Sequence, residues 1–297
     1  MASPAQAAIV IVCKVPKPHH TKTRLVSTLG PERSALLAEA MLCDMVAKIS
    51  NISVSGSQIH KIIYFKPASM ESELRRILSP VLSSSSSSWT FLPMATHPEE
   101  TSTDLTRVLQ DVLVNVRPLL RSHSLPHLTV NHAITIVGMD SPTLPASEIA
   151  RSLQVARSNQ AYITPATDGG YVLLGIPERC GGEIFENVGW SEHYTAVQQI
   201  REIERGGVTV RISEEVVLDV DEKEDLEQLL LLAESPPSQI EMNCTREFLG
   251  KWCKGEREGE GEEGAALRGK GFFFGLLGVN AIFLLVANLQ VEQSRAR

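Results

Sequence analysis

The chain alternates short apolar runs with longer stretches in which apolar residues recur every three or four positions. Ala8-Ile9-Val10-Ile11-Val12 is unbroken and rich in β-branched residues, which predicts a buried strand. Behind Gly30-Pro31, Leu37, Met41, Met45 and Ile49 repeat every four residues with Leu42 and Val46 beside them. That spacing predicts an amphipathic helix with the proline in its first turn. Strands are expected at 61–65 and 89–92, a short helix at 71–78 stopped by Pro80, and a long helix at 103–120. Residues 133–137 form the clearest buried strand, followed by a helix over 146–157. Two strands, 161–164 and 171–176, flank Thr167-Asp168-Gly169-Gly170, and a helix over 194–205 stops at Gly206-Gly207. Short strands at 208–212 and 216–220 precede a last helix over 221–234.

Strands that alternate with helices predict an α/β domain with a mainly parallel, doubly wound sheet. Ligands of such sheets bind beyond the carboxyl ends of the strands, which directs attention to the loops after Val12 and Val137. The six serines at 83–88 supply nothing to a core and are expected to be a flexible surface insertion. The pattern changes after Pro237. The expected organisation is a domain over 1–235, a Gly/Glu-rich flexible linker over 236–270, and an apolar segment over 271–291. That segment has no charge in 21 residues and, as a helix of about 30 Å, would be long enough to cross a bilayer. Arg268 and Lys270 before it suit a cytoplasmic N-terminal domain, so the expected location is cytoplasmic with membrane attachment through the C-terminus.

A formal net charge of -7 without a basic, aromatic-interleaved stripe argues against nucleic acid as a partner. Five cysteines, with no CxxC pair among them, argue against a disulfide framework or structural zinc and for reduced thiols. Residues 1–6 lack the basic residues of a secretory leader, and the run at 7–12 is too short for one.

Against that acidic background, the loop from Lys14 to Arg24 stands out because it also carries Lys17 and Lys22. Cations after the first strand are where phosphates bind in doubly wound folds; Arg24 could fork two phosphate oxygens and Lys22 act as a point charge. Asp140 follows the apolar run 133–137 and so emerges at the sheet edge, where a hard divalent cation would take its carboxylate. Asp168 lies between Thr167 and two glycines that let backbone approach a ligand, and it could share a metal with Asp140 or act as a base. Either aspartate could instead serve only a turn. His19 and His20 lack further ligands and read as loop residues. Asp221 reads as the cap of the last helix, with Asp219 free to face the site, and Trp190-Ser191 could lie over a substrate.

The order Lys-x-Pro-x-Pro-x-x-x-Lys-Thr-Arg-Leu (14–25), Thr-Asp-Leu-Thr-Arg (103–107), Gly-Met-Asp-Ser-Pro-Thr-Leu (138–144), Asp-Gly-Gly-Tyr (168–171), Trp-Ser (190–191) and Asp-Val-Asp-x-x-x-Asp-Leu (219–226) resembles one family. It is the DUF2064 or glycosyltransferase A-like family, also called radical-SAM/selenodomain-associated transferase 1, in the nucleotide-diphospho-sugar transferase superfamily. The resemblance spans roughly residues 8–232. It implies a GT-A-like (Rossmann-like) three-layer α/β/α fold and a transferase using a nucleotide-activated donor and a small acceptor with Mg²⁺ or Mn²⁺. It implies that Lys14, Lys22, Arg24, Asp104 and Arg107 bind the nucleotide and its phosphates. Asp140 and Asp168 would be the catalytic and metal-holding residues, and Gly169, Gly170, Tyr171, Trp190 and Ser191 the acceptor side. Glycosyl transfer is the leading expectation; nucleotidyl transfer from an NTP and a non-catalytic, membrane-tethered nucleotide binder are the alternatives. Pro18-His19 stands where the family shows Pro-Gly, which implies a looser loop.

Overall fold

The structure, a computed structural model, describes residues 5–85, 87–94, 104–122, 131–236 and 240–258. In chain order the strands and helices are β1 (Ala5–Lys14), α1 (Val26–Leu29), α2 (Pro31–Ser50), β2 (Ser57–Lys66), α3 (Glu71–Ser83), β3 (Trp89–Pro93), α4 (Leu105–Ser122), β4 (Ala133–Gly138), α5 (Ala146–Arg157), β5 (Ala161–Pro165), β6 (Tyr171–Pro177), α6 (Thr195–Arg205), β7 (Val210–Ile212), α7 (Lys223–Ala233) and α8 (Asn243–Glu258). The strands make one seven-stranded sheet in the order β3-β2-β1-β4-β6-β5-β7. All pairings are parallel except those of β6, which runs antiparallel to β4 and β5.

Side-chain parity along β1 sorts the core into two layers, because successive residues of a strand face opposite sides. Ile9 and Ile11 pack with Leu42, Met45, Leu74, Leu78, Ile149 and Leu153, which are contributed by α2, α3 and α5. Ala8 and Val10 pack with Val112, Val116, Ile200 and Ile203 of α4 and α6 on the other face. This is the three-layer α/β/α arrangement. The chain reverses direction across the sheet between β1 and β4, which are parallel neighbours with Ile11 opposite Val137. That position is where open α/β sheets form their ligand crevice.

Four expectations change. Pro80 lies within α3 and does not stop it; the helix runs on to Ser83. One residue of the serine run, Ser87, is tied to the fold: its Oγ donates to Ser50 O (2.7 Å) and accepts from Lys61 Nζ (2.7 Å). The strand expected at 216–220 reduces to one bridge between Ala166 and Val217, because Val220 N turns away to Asp140 O (3.1 Å).

The fourth concerns the linker. Residues 243–258 of it are helical, and Leu249 and Trp252 join Leu37, Met41, Leu226, Leu229 and Met242 in a third core cluster. The carboxylate of Asp44, buried on α2, accepts hydrogen bonds from Cys244 N and Thr245 N (both 2.8 Å) and so caps the helix from outside it. Arg246 donates to the carbonyls of Ala233, Ser235 and Ile240, clamping the connection from α7. Glycines and glutamates further along hid an apolar stripe at Phe248, Leu249, Trp252 and Cys253. No helix among the described residues is long and apolar enough to cross a membrane. The apolar segment 271–291 lies outside the described residues.

Candidate functional site

β1 ends at Lys14, and the chain then folds through a compact loop. Thr21 Oγ1 donates to Val15 O (3.4 Å) and accepts from Lys17 N (3.1 Å), while His20 N and Thr21 N both donate to Lys17 O (3.1 Å). Two non-glycine residues of this loop are left-handed, His19 at φ 65° and Lys22 at φ 50°. His19 stands where a glycine was expected from the family pattern, and its φ is one that glycine adopts without strain. The loop is therefore tight, not looser, and the histidine bears the strain. The left-handed turn at Lys22 directs its side chain inward, where it is 4% exposed.

The Lys22 ammonium sits between two carboxylates. Its Nζ is 2.8 Å from Asp140 Oδ1 and 2.7 Å from Asp221 Oδ1. Burial alone would lower the Lys22 pKa, but Asp140, Asp221 and Asp219 outweigh it and hold the lysine above its usual range. Burial pushes Asp140 up, opposed by Lys22 and reinforced by Asp221. Burial, with Asp140 next, pushes Asp219 up to about 7. Asp221 is also penalised by burial, yet Lys22 draws it below the usual carboxylate range. Asp140 Oδ1 is buried and accepts no aligned hydrogen bond, so the ion pair with Lys22 is its main compensation.

Asp140 is held by its neighbours in sequence and space. Its carbonyl accepts from Val220 N, and Ser141 Oγ donates to Asp219 Oδ1 (3.3 Å). Asp221 is not the helix cap that its position suggests. Glu222 caps α7 in a capping box with Asp225, whose Oδ2 accepts from Asp221 N (2.9 Å) and Glu222 N (2.8 Å), which leaves the Asp221 side chain free for Lys22.

These groups border a cleft of about 280 Å³ lined by Lys14, His20, Lys22, Arg24, Lys66, Asp140 and Asp221, with Leu105 and Val108 of α4 closing one wall. Lys14 is opposite Lys66 in register, so both neighbouring strands end in a lysine at the cleft. Arg24 is exposed and paired with Glu222 (3.1 Å). Asp104 does not line the cleft; it caps α4 by accepting from Arg107 N (3.4 Å), and its other oxygen pairs with Arg107 Nε (3.3 Å).

Of the expected acceptor-side residues, Trp190 reaches α4 and Tyr171 lies next to Trp190. Trp190 Nε1 donates to Thr106 Oγ1 (2.8 Å), and the Trp190 and Tyr171 rings lie 6.3 Å apart. Tyr171 OH donates to Gln199 Oε1 (3.0 Å), and burial raises its pKa. Ser191 is left-handed at φ 62°.

Asp168 is placed differently from the expectation that it shares a metal with Asp140. It is exposed and absent from the cleft lining, and its Oδ1 closes a turn by accepting from Gly170 N (2.8 Å). Its charge still reaches Asp219, which it helps to raise. The first glycine after it admits the protein's own backbone: at Gly169 (φ 92°) a Cβ would overlap the carbonyl oxygen of His193. Gly169→Ala is expected to cost at least about 2 kcal/mol, from the positive φ and the backbone clash together, as read by denaturant unfolding.

A divalent cation is the group whose fit matters here. Among the described residues no group of three or more His, Cys, Asp and Glu is drawn together around one point. The donors present are nevertheless carboxylates, which suit a hard cation, and Asp140 Oδ1 is buried without an aligned hydrogen bond. Lys22 supplies the positive charge between Asp140 and Asp221. A metal ion would compete with that ammonium for the same carboxylates.

Sequence reasoning missed Asp221 and Lys66. The signal for Lys66 was available, since Val12-Cys13-Lys14 and Tyr64-Phe65-Lys66 end two apolar runs in the same way.

Residues 77–192 match the family model described as "Uncharacterized protein conserved in bacteria (DUF2064)". Among solved structures, the chain resembles a candidate nucleotide-diphospho-sugar transferase from Desulfovibrio desulfuricans G20, with 19% identity and a TM-score of 0.65 over 87% of this chain and 98% of that one. Weaker likenesses are to Rv0371c from Mycobacterium tuberculosis H37Rv (14% identity, TM-score 0.42, 77% and 100% coverage) and to 4-diphosphocytidyl-2C-methyl-D-erythritol synthase from Anaerococcus prevotii DSM 20548 (11%, 0.44, 84% and 97%). No curated protein matches the chain in sequence. Residues 77–192 are thus similar to the DUF2064 family, and the chain shares the α/β fold of the Desulfovibrio protein.

Proposed function

We propose that the protein is a metal-dependent transferase that takes its donor as a nucleotide diphosphate derivative, with glycosyl transfer to a small acceptor as the leading reaction. The observation that carries this reading is the meeting of the basic loop after β1 with Asp140 after β4, through the buried Lys22 ion pairs. A cleft whose lining includes Lys14, Lys22, Arg24 and Lys66 together with Asp140 and Asp221 supports the reading of a metal–polyphosphate site. Lys22 and Arg24 would bind phosphate oxygens, and the α4 wall at Leu105 and Val108 would exclude water. Asp140 and Asp221, with Asp219 adjacent, would hold Mg²⁺ or Mn²⁺, which would supply charge stabilisation to the leaving diphosphate. Tyr171, Trp190 and Ser191 would face the acceptor, with Trp190 oriented by Thr106.

The reaction is tested by incubating the full chain with Mn²⁺ and panels of NDP-sugars and NTPs. Release of a nucleoside diphosphate from an NDP-sugar is the expected result. Pyrophosphate release from an NTP would reassign the protein to nucleotidyl transfer in the same cleft, and binding without turnover would make it a nucleotide-binding protein.

The Lys22 ion pairs make a separate prediction. Lys22→Met should raise the affinity of the nucleotide-free protein for Mn²⁺ about tenfold or more, because the competing ammonium is gone. The same change should weaken nucleotide binding. Calorimetric titration with Mn²⁺ alone and with a nucleoside diphosphate alone separates the two effects.

A further inference from the structure

A second buried lysine acts on the Asp140 loop from behind. Lys48 lies near the end of α2, is 5% exposed, and is absent from the cleft lining. Its Nζ donates to Pro142 O (2.7 Å) and Leu144 O (2.6 Å), the carbonyls of the turn that follows Asp140. That turn is closed by Leu144 N donating to Ser141 O (3.1 Å), and Ser141 in turn donates to Asp219. The segment from Asp140 to Leu144 is therefore pinned on one side by α2 and on the other by the strip 219–220.

We propose that Lys48 is a positioning residue for the proposed metal site, fixing the turn 141–144 so that Asp140 and Asp219 are presented together. The inference rests on the reading of Asp140 as a metal-holding residue. Two features favour positioning over simple core filling. Lysine is a costly way to fill an apolar site, since burying the ammonium disfavours its charge. Here burial lowers its pKa to about 8, with Asp44 and Glu241 opposing the shift. In addition, both of its hydrogen bonds go to one short turn rather than to separate elements, so its binding energy is concentrated on the shape of that turn. Asp44, one helical turn earlier, caps α8 at the same time, so α2 ties α8 and the Asp140 turn to one rigid element.

The test compares Lys48→Met, Lys48→Arg and Lys61→Met in the full chain. Lys61 is also a buried lysine, but its Nζ donates to Ser50 O and Ser87 Oγ, not to the Asp140 turn. The readouts are Mn²⁺-dependent binding of a nucleoside diphosphate and hydrogen–deuterium exchange across 139–144. Lys48→Met should weaken Mn²⁺-dependent binding about tenfold or more and speed exchange in that segment. Lys48→Arg, which keeps the cation and its donors, should recover part of both, and Lys61→Met should leave both at the wild-type level. Should Lys48→Met fail to fold, Lys48→Gln, which removes the cation and shortens the reach, takes its place: wild-type affinity and wild-type exchange together overturn the inference, and a loss of both supports it. Wild-type behaviour of a folded Lys48→Met, or an equal loss in Lys61→Met, also overturns it. If the wild type itself shows no Mn²⁺-dependent binding, the metal-site reading falls and the inference with it; that outcome is recognised in the wild type alone.

Discussion

Asp140→Asn is expected to lower metal-dependent turnover about a thousandfold while leaving the fold intact. A bound metal contributes several kcal/mol of charge stabilisation to a departing diphosphate, and each 1.36 kcal/mol is tenfold in rate. Asparagine keeps the shape of the side chain and removes the charge that would draw the ion. The fold tolerates the change for a reason visible in the site. Burial already disfavours the charged form of Asp140, and Lys22 retains Asp221 at 2.7 Å with Asp219 nearby. Thermal unfolding should show a melting temperature lowered by only about a few degrees, because buried Lys22 loses one ion-pair partner and keeps the other. Turnover at the wild-type rate would remove Asp140 from the site, whereas loss of turnover together with a collapsed melting transition would make its role structural.

Trp252→Ala is expected to have the largest effect on stability. Trp252 is 7% exposed and packs in the cluster that joins α2, α7 and α8. Truncating a buried tryptophan typically costs about 3–5 kcal/mol, and at this chain length that corresponds to a melting temperature lower by about 10 °C. A residue in a solvated linker would give no shift. The measurement thus decides whether α8 is part of the folded domain, as Asp44 and Arg246 indicate, and it does so without reference to activity.

Much of the fold could be read from the chain because its signals are local. A β-branched run such as 8–12 and a four-residue repeat such as Leu37, Met41, Met45 and Ile49 specify a strand and a helix without long-range information. The ends of elements were less legible. Pro80 breaks the helical hydrogen-bond pattern in isolation, but Leu74, Ile77 and Leu78 bury one face of α3 and carry the helix past it. The helix α8 was hidden because four apolar residues had to be weighed against a downstream Gly/Glu run, and its cap comes from Asp44, 200 residues away in the chain.

The site divided in the same way. Asp140 and Lys14 were legible as cleft residues because a charge that follows an apolar strand emerges at the sheet edge, and Lys22 and Arg24 because they concentrate cations in one loop of an acidic chain. Asp221 was not, since an aspartate at a helix start has an ordinary local explanation; only the capping box of Glu222 with Asp225 shows that Asp221 is released from that task. Asp168 misled for the converse reason. Its two glycines suggest room for a ligand, but at Gly169 the room is taken by the backbone of His193. Lys48 could not have been found from sequence at all, because its function depends on two carbonyls about 95 residues further along the chain.

A transferase of this kind requires the Lys22–Asp140–Asp221 cleft to bind a metal and a polyphosphate together. The most direct measurement is calorimetric titration of the full chain with a nucleoside diphosphate, with and without Mn²⁺, in the wild type and in Asp140→Asn. The expected result is binding that is strengthened at least about tenfold by Mn²⁺ in the wild type, with that dependence abolished in Asp140→Asn. Equal affinity with and without Mn²⁺ in the wild type, or no binding in either condition, would contradict it.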